Sequence, residues 1–268
     1  MSVTNKNNCD AVVRTGTPDP ISAPLTSNDG AALGAQSRQP GLGPRRVREI
    51  ENIWIPMSDG TKIAARMWLP EDAEESPVPA LMEYIPYRKR ENTSGMYPYL
   101  ASYGYACVRP DIRGSGDSEG LPQDEYVKQE QDDGVEIIAW LARQPWCTGK
   151  VGMFGISWGG FSALQVAARR PAELKAIITV CSTDDRYADD AHYPGGLIEQ
   201  DMLTAGWGVR WPAYDCLSPD PAIVGDRWRD MWMKRLNKCG LLPREVAYPP
   251  ASRCILEAWI DQRKLWCH

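Results

Sequence analysis

The sequence predicts an α/β fold in which a mostly parallel sheet is covered by helices on both faces. Three observations carry that prediction. A hairpin opens the periodic part of the chain, strand-like and helical runs then alternate, and a glycine-rich strand-to-helix turn sits near the middle with a serine at its apex. The turn is Lys150-Val151-Gly152-Met153-Phe154-Gly155-Ile156-Ser157-Trp158-Gly159-Gly160, followed by the apolar-periodic Phe161-Ser162-Ala163-Leu164-Gln165-Val166-Ala167. Its spacing is that of a nucleophile elbow. There the serine takes a sharply turned, strained backbone, and glycines at Gly155 and Gly159 avoid a collision across the strand-helix junction. The first N–H groups of the following helix then face a developing oxyanion. The G-x-S-x-G letters alone are weak, because chance supplies them in on the order of one chain in ten of this length. An ordinary glycine-rich turn would carry the same letters, and it is the flanking strand and helix that give them weight.

The elements follow in order. Residues 1–44 are rich in Ser, Thr, Asn, Gly and Pro and read as a disordered polar arm. The core is expected over 45–185. Ile50–Pro56 and Lys62–Leu69 flank the turn signal Ser58-Asp59-Gly60 and read as a hairpin. Val78–Tyr87 is a strand running into a loop, Tyr97–Tyr103 a short helix, and Tyr105–Asp111 the next strand. Val135, Ile138, Ala139 and Ala142 mark one helix face ahead of Pro145. Leu174–Cys181 reads as a further buried strand, and Trp228 with Trp232, one helical turn apart, reads as a core pair.

Composition bounds the function. A chain of 268 residues with 43% hydrophobic content suits one substantial domain with material left for a tail or cap. A net charge of -5, with no Lys/Arg cluster interleaved with aromatics, argues against a nucleic-acid partner. No apolar run approaches membrane-spanning length, and the start Met1-Ser2-Val3-Thr4-Asn5-Lys6-Asn7-Asn8 lacks the apolar core of a secretory signal. The eight cysteines form no C-x-x-C pair. Cys107 and Cys181 lie in strand-like runs, so buried free thiols and a cytoplasmic location are expected. No metal or organic cofactor is implied. Only two histidines, His192 and His268, are available for histidine chemistry.

Several blocks in order extend the pattern. They are Pro86-Tyr87-Arg88-Lys89, then Arg109-Pro110-Asp111-Ile112-Arg113-Gly114-Ser115-Gly116-Asp117-Ser118-Glu119-Gly120, the elbow itself, and Asp189-Asp190-Ala191-His192-Tyr193-Pro194-Gly195-Gly196. With these the chain resembles the CocE/NonD-type serine hydrolases, the Xaa-Pro dipeptidyl-peptidase-like and cocaine-esterase-like α/β-hydrolases, from about Val47 to about Lys234. The resemblance implies an α/β-hydrolase fold and, for 186–237, the start of a helical cap. It implies Ser157 as the acyl-forming nucleophile, the backbone N–H of Trp158 as one oxyanion donor and the Tyr87 hydroxyl as the second. A neutral phenol suits that task, and one such donor stabilises a transition state by roughly 3–4 kcal/mol. Asp111 and Asp117 fall in a structural block, with Arg113 paired to a carboxylate. Asp184, Asp185, Asp189 and Asp190 read as loop and cap carboxylates rather than a triad acid, and His192 falls in the cap segment rather than beside Ser157.

In the resembled fold the acid and base come from loops after two further strands, in the order Ser, Asp, His. This chain closes before either, so the last strands and the triad Asp and His are expected to be missing from it. The tail indicates a cause. From about Lys238 the text loses the family's character and gains three of the eight cysteines. Back-translated with permitted codons and moved by one base, Glu245–Asp261 gives Lys-Trp-Leu-Thr-His-Gln-Arg-Arg-Asp-Ala-Tyr-Trp-Lys-His-Gly-Ser, which resembles the family's text after the first cap helices. Residues 238–268 therefore read as an out-of-frame tail, with His268 a chance terminus. Two functions follow from these readings. One is a serine hydrolase acting on a small ester or peptide-like substrate; the other is a truncated, catalytically inactive scaffold or binding fragment.

Overall fold

The computed structural model describes residues 12–14, 44–91, 95–123, 126–185, 188, 190, 214 and 217–238. Among them run seven strands: β1 (Val12–Arg14), β2 (Val47–Pro56), β3 (Lys62–Pro70), β4 (Val78–Met82), β5 (Ala106–Pro110), β6 (Cys147–Ile156) and β7 (Leu174–Val180). The helices are α1 (Met96–Ser102), α2 (Lys128–Ala142), α3 (Trp158–Ala168), α4 (Pro221–Val224) and α5 (Trp228–Lys238), with a 3₁₀ turn at Gly225–Arg227. The strands form one sheet in the order β1-β2-β3-β5-β4-β6-β7. The β1-β2, β2-β3 and β3-β5 pairs are antiparallel, whereas β5-β4, β4-β6 and β6-β7 are parallel. Each parallel step needs a crossover, and α1, α2 and α3 supply them in turn. The α/β architecture expected from the alternation is therefore present. Within the stretch read as a polar arm, Val12–Arg14 adds a short strand to β2.

The hairpin turns where Asp59 and Gly60 require it. Gly60 has φ 86°, and the Asp59 carboxylate accepts the Thr61 N–H at 2.9 Å. Strand alternation then divides the core between the two faces. Met67, Ala80, Met82, Val108, Val151 and Met153 pack with Ile137, Ile138 and Leu141 of α2 on one face. Their sequence neighbours Trp68 and Cys107 pack with Tyr97 and Ala101 of α1 on the other. Trp68 and Tyr97 stack at 4.6 Å between ring centroids.

Three expectations need correction. Of the expected α2 face, Ile138 is fully buried and Val135 and Ala142 pack partly buried against the core, but the most buried stripe is centred one step away, on Gly134, Ile137, Ile138 and Leu141. The stripe centres there because Gly134 lets α2 approach closely. A Cβ at that position would lie 2.9 Å from Val166 Cγ2 and 3.5 Å from Tyr84. The second correction concerns β7, which is not fully buried: Ile178 is 66% and Val180 44% exposed. It lies at the end of the sheet order among the described residues, and Cys181 follows it as an exposed thiol at φ 52°. Cys107 does match its reading, since burial pushes its thiol up to about 12. Finally, Trp228 and Trp232 stack at 6.0 Å but are half-buried rather than core.

The displaced α2 stripe is testable by chemical denaturation. Ile137→Ala should cost about 2–5 kcal/mol, whereas Val135→Ala should cost about 1 kcal/mol or less. The reverse ranking would return the helix to the face read from periodicity.

Candidate active site

The centre of the site is the junction between β6 and α3. Ile156 ends the strand, Trp158 opens the helix, and Ser157 between them has φ 55° and ψ -117°. Such a backbone costs a non-glycine residue of order 1–3 kcal/mol and persists only where its surroundings enforce it. Here the Ser157 N–H donates to the Val180 carbonyl at 2.8 Å, and the Ser157 carbonyl accepts the Phe161 N–H at 3.0 Å. The turn is tight enough that a Cβ on Gly155 would lie 2.5 Å from the carbonyl carbon of Gly159. Gly159 is constrained in its turn, since its Cβ would meet Ile85 Cγ2 at 2.9 Å. Gly160, for which the sequence offered no separate role, would meet Ser182 Oγ at 2.7 Å. Ser157 itself is half-buried at this junction.

Trp158 is held by its side chain. Its indole Nε1–H donates to Glu130 Oε1 at 2.8 Å, and the Ser162 hydroxyl donates to the same oxygen at 2.9 Å. The other carboxylate oxygen accepts the Tyr126 N–H at 3.1 Å. Tyr126 also packs its ring 4.7 Å from Trp158 and 5.3 Å from Phe161. Glu130 is 5% exposed, and sequence reasoning missed it. Its one local signal is a place in the first turn of α2, where a carboxylate ordinarily serves the helix dipole from solvent.

Tyr87 reaches the site through topology. β4 is the parallel neighbour of β6, so the segment after Met82 and the turn after Ile156 leave the same edge of the sheet. Ile85 bridges to Asp111 and lies against Gly159. Tyr87 is half-buried, its ring 6.0 Å from that of Tyr214. Beyond it, Arg88 takes φ 68°, and the buried Lys89 ammonium pairs with Asp117 and, at 3.6 Å, with Asp111. Burial raises the Asp111 carboxyl and the charge of Asp117 adds to that, while the Lys89 ammonium pulls the other way. Arg113 grips Asp133 with two hydrogen bonds of 2.7 Å and reaches Asp59 at 2.7 Å, so its partners sit on α2 and the hairpin turn. Those carboxylates hold its guanidinium charged well above the ordinary range.

Ser157, Trp158 and the segment that carries Tyr87 thus leave the sheet at the same end of its parallel strands. Asp184 and Asp185 are exposed and Asp190 is buried, whereas Asp189, His192 and His268 lie outside the described residues. A small hollow of about 30 Å³ is lined by Pro86, Ser115, Glu130 and Trp158, among others, room for little more than a water or two. A wider hollow of about 390 Å³, lined by Asp59, Arg113, Asp132 and Arg169 among others, includes none of the three residues. Among the described residues no cluster of three His, Cys, Asp or Glu is placed to hold a metal, and no helix is long and apolar enough to cross a membrane.

The glycine contact at the elbow gives a direct check. Gly155→Ala should lower stability by about 1–3 kcal/mol, because its methyl group meets backbone that cannot withdraw. Gly95→Ala, where nothing lies within 4 Å, should shift the urea midpoint little. Equal effects would contradict the tight turn.

Known proteins share this fold. The family described as X-Pro dipeptidyl-peptidase (S15 family) matches residues 59–250, more than half of the chain. The cocaine esterase of Rhodococcus sp. is 34% identical over 165 residues, which is 59% of this chain and 28% of that protein. A CocE/NonD family hydrolase from Staphylococcus aureus superposes with a TM-score of 0.53 at 23% identity, covering 63% of this chain and 34% of the other. An α-amino acid ester hydrolase superposes with a TM-score of 0.50 at 22% identity, covering 68% and 33%. The chain thus spans about a third of the length of these relatives. By the matched family and the fold that carries it, the chain belongs to the S15 X-Pro dipeptidyl-peptidase family, of the CocE/NonD type.

Proposed function

We propose that this chain carries the nucleophile and oxyanion hole of a serine hydrolase that cleaves an ester or amide through a Ser157 acyl-enzyme. The observation that carries the proposal is the strained backbone of Ser157, φ 55° and ψ -117°, at a strand-helix junction closed by Gly155 against Gly159. In this reading the Ser157 oxygen attacks the acyl carbon, a base takes its proton, and the carbonyl oxygen becomes an oxyanion. The Trp158 backbone N–H and the Tyr87 hydroxyl stabilise that charge. The leaving alcohol or amine departs with the proton, and water then releases the acid and regenerates Ser157. The relatives named for a cocaine ester, an amino acid ester and an X-Pro peptide all suit an acyl carbonyl as the reacting group.

The division of the chain belongs to the same proposal. Residues 45–185 form the core that bears Ser157 and Tyr87, with 1–44 a polar arm and 186–237 the start of a cap. Residues 238–268 are an out-of-frame tail. Mass spectrometry of the native protein decides this last point. Peptides of Glu245–His268 as written are expected if the shift lies in the gene, and peptides containing Asp-Ala-Tyr-Trp-Lys if it is a sequencing error; finding neither, with the protein ending near Asn237, would remove the out-of-frame reading.

The chemistry is tested with the frame restored. Serine without a positioned base is a poor nucleophile, so the 268-residue chain should hydrolyse a p-nitrophenyl ester no faster than its Ser157→Ala variant. The restored protein should turn the ester over in a Ser157-dependent way. Brisk Ser157-dependent turnover by the short chain would make His192 the leading candidate for the base. In the restored protein Tyr87→Phe should lower kcat by about two to three orders of magnitude with little change in stability. An unchanged kcat would remove Tyr87 from the oxyanion hole.

A further inference from the structure

Three consecutive residues after Tyr87 are each tied down by a different partner. Arg88 Nη2 donates to the Ser218 carbonyl at 2.9 Å. Lys89 pairs through Nζ with Asp117 and Asp111, and its backbone N–H donates to Asp111. Arg90 pairs with Asp220 and, at 2.9 Å, with Glu51. The partners are themselves connected. Asp111 accepts the Asp117 N–H at 2.8 Å, and Asp117 accepts the Asp220 N–H at 2.7 Å. Arg235 of α5, fully buried, donates to the carbonyls of Gly116 at 2.7 Å and Ser118 at 2.6 Å. A Cβ on Gly116 would lie 2.2 Å from Asp111 Oδ2, so the turn closes directly on the ion cluster.

Stability alone does not account for this cluster. Lys89 and Asp111 are each 1% exposed, and a well-packed apolar group often does as well as or better than a buried ion pair. What a buried, fully engaged cluster supplies is a fixed location. The loop needs one, because Arg88 at φ 68° is a conformation that a non-glycine residue seldom holds unaided.

We propose that Lys89 is a positioning residue for Tyr87: its buried pairing with Asp111 and Asp117, closed from outside by Ser218 and Asp220, holds the loop after β4 in the conformation that presents the phenol to the oxyanion. The segment 217–238 is then part of the framework of the oxyanion hole. This inference rests on the reading of Tyr87 as an oxyanion donor, and the experiment separates the two.

In the 268-residue chain, Lys89→Met should speed amide hydrogen exchange at residues 86–90 by about tenfold or more, while the strands β4 to β6 stay protected. Arg90→Met, at a partly exposed site, should do the same and remains available if Lys89→Met fails to fold. Unchanged exchange at 86–90 overturns the proposal. In the frame-restored enzyme, Lys89→Met should lower kcat by about ten- to a hundredfold with KM changed less than about threefold, the loss expected of a misplaced catalytic group. In a Tyr87→Phe background the same substitution should change kcat by less than about twofold, because no hydroxyl remains to misplace. Equal losses in both backgrounds overturn the proposal and leave Tyr87 as the donor. No loss from Tyr87→Phe itself overturns both readings.

Discussion

Ser157 can hold its left-handed backbone because two glycines, four residues apart, leave no atoms where the strand turns into the helix. A Cβ on Gly155 would sit 2.5 Å from Gly159, and the hydrogen bond from the Ser157 N–H to Val180 ties the turn to β7. The rest of the structure is arranged around that contact. β4 must lie beside β6 for the Tyr87 loop to reach the same edge, and α2 must pack closely, through Gly134, for Glu130 to meet Trp158. A strained turn of this kind is held by the packing around it and not by its own sequence preference.

Two buried charged groups flank the elbow and differ in what they do there. Glu130 accepts hydrogen bonds from Trp158, Ser162 and Tyr126, which makes the first turn of α3 and the 126 loop one unit. Lys89 engages Asp111 and Asp117 and, through them, the segment that begins at Ser218. Removing one charged partner of the Lys89 cluster would strand the other in a medium that solvates charge poorly, a cost of about 3–5 kcal/mol for a broken buried pair. The proposed oxyanion donors, the backbone of Trp158 and the hydroxyl of Tyr87, thus each belong to a segment held by a buried polar anchor.

The parts of this architecture that the sequence made legible are those written in local geometry. Gly155 and Gly159 around Ser157 mark a turn that tolerates no side chain, and Asp59 with Gly60 marks a hairpin; both stand where they were read. Periodicity placed α2 only approximately, because Val135 and Ala142 also pack against the core, at the border of the most buried stripe. Only the close approach to Tyr84 and Val166 selects Gly134, Ile137 and Leu141. Cys181 was legible as a strand neighbour but not as an exposed one, since exposure depends on what lies beside β7. The anchoring roles of Glu130 and Lys89 were not legible at all. Charged residues read as solvated unless their partners are known, and these partners lie up to 32 residues away in sequence.

In the proposed mechanism the backbone of Ser157 aims its hydroxyl at an acyl carbon whose oxygen falls between Tyr87 and Trp158. A crystal structure of the frame-restored protein inactivated by an alkyl phosphonate tests it most directly. Phosphorus should be bonded to Ser157 Oγ, with one phosphonyl oxygen about 2.7–3.1 Å from both the Tyr87 hydroxyl and the Trp158 backbone nitrogen. Phosphorus on any other residue, or a phosphonyl oxygen turned away from both donors, would contradict it.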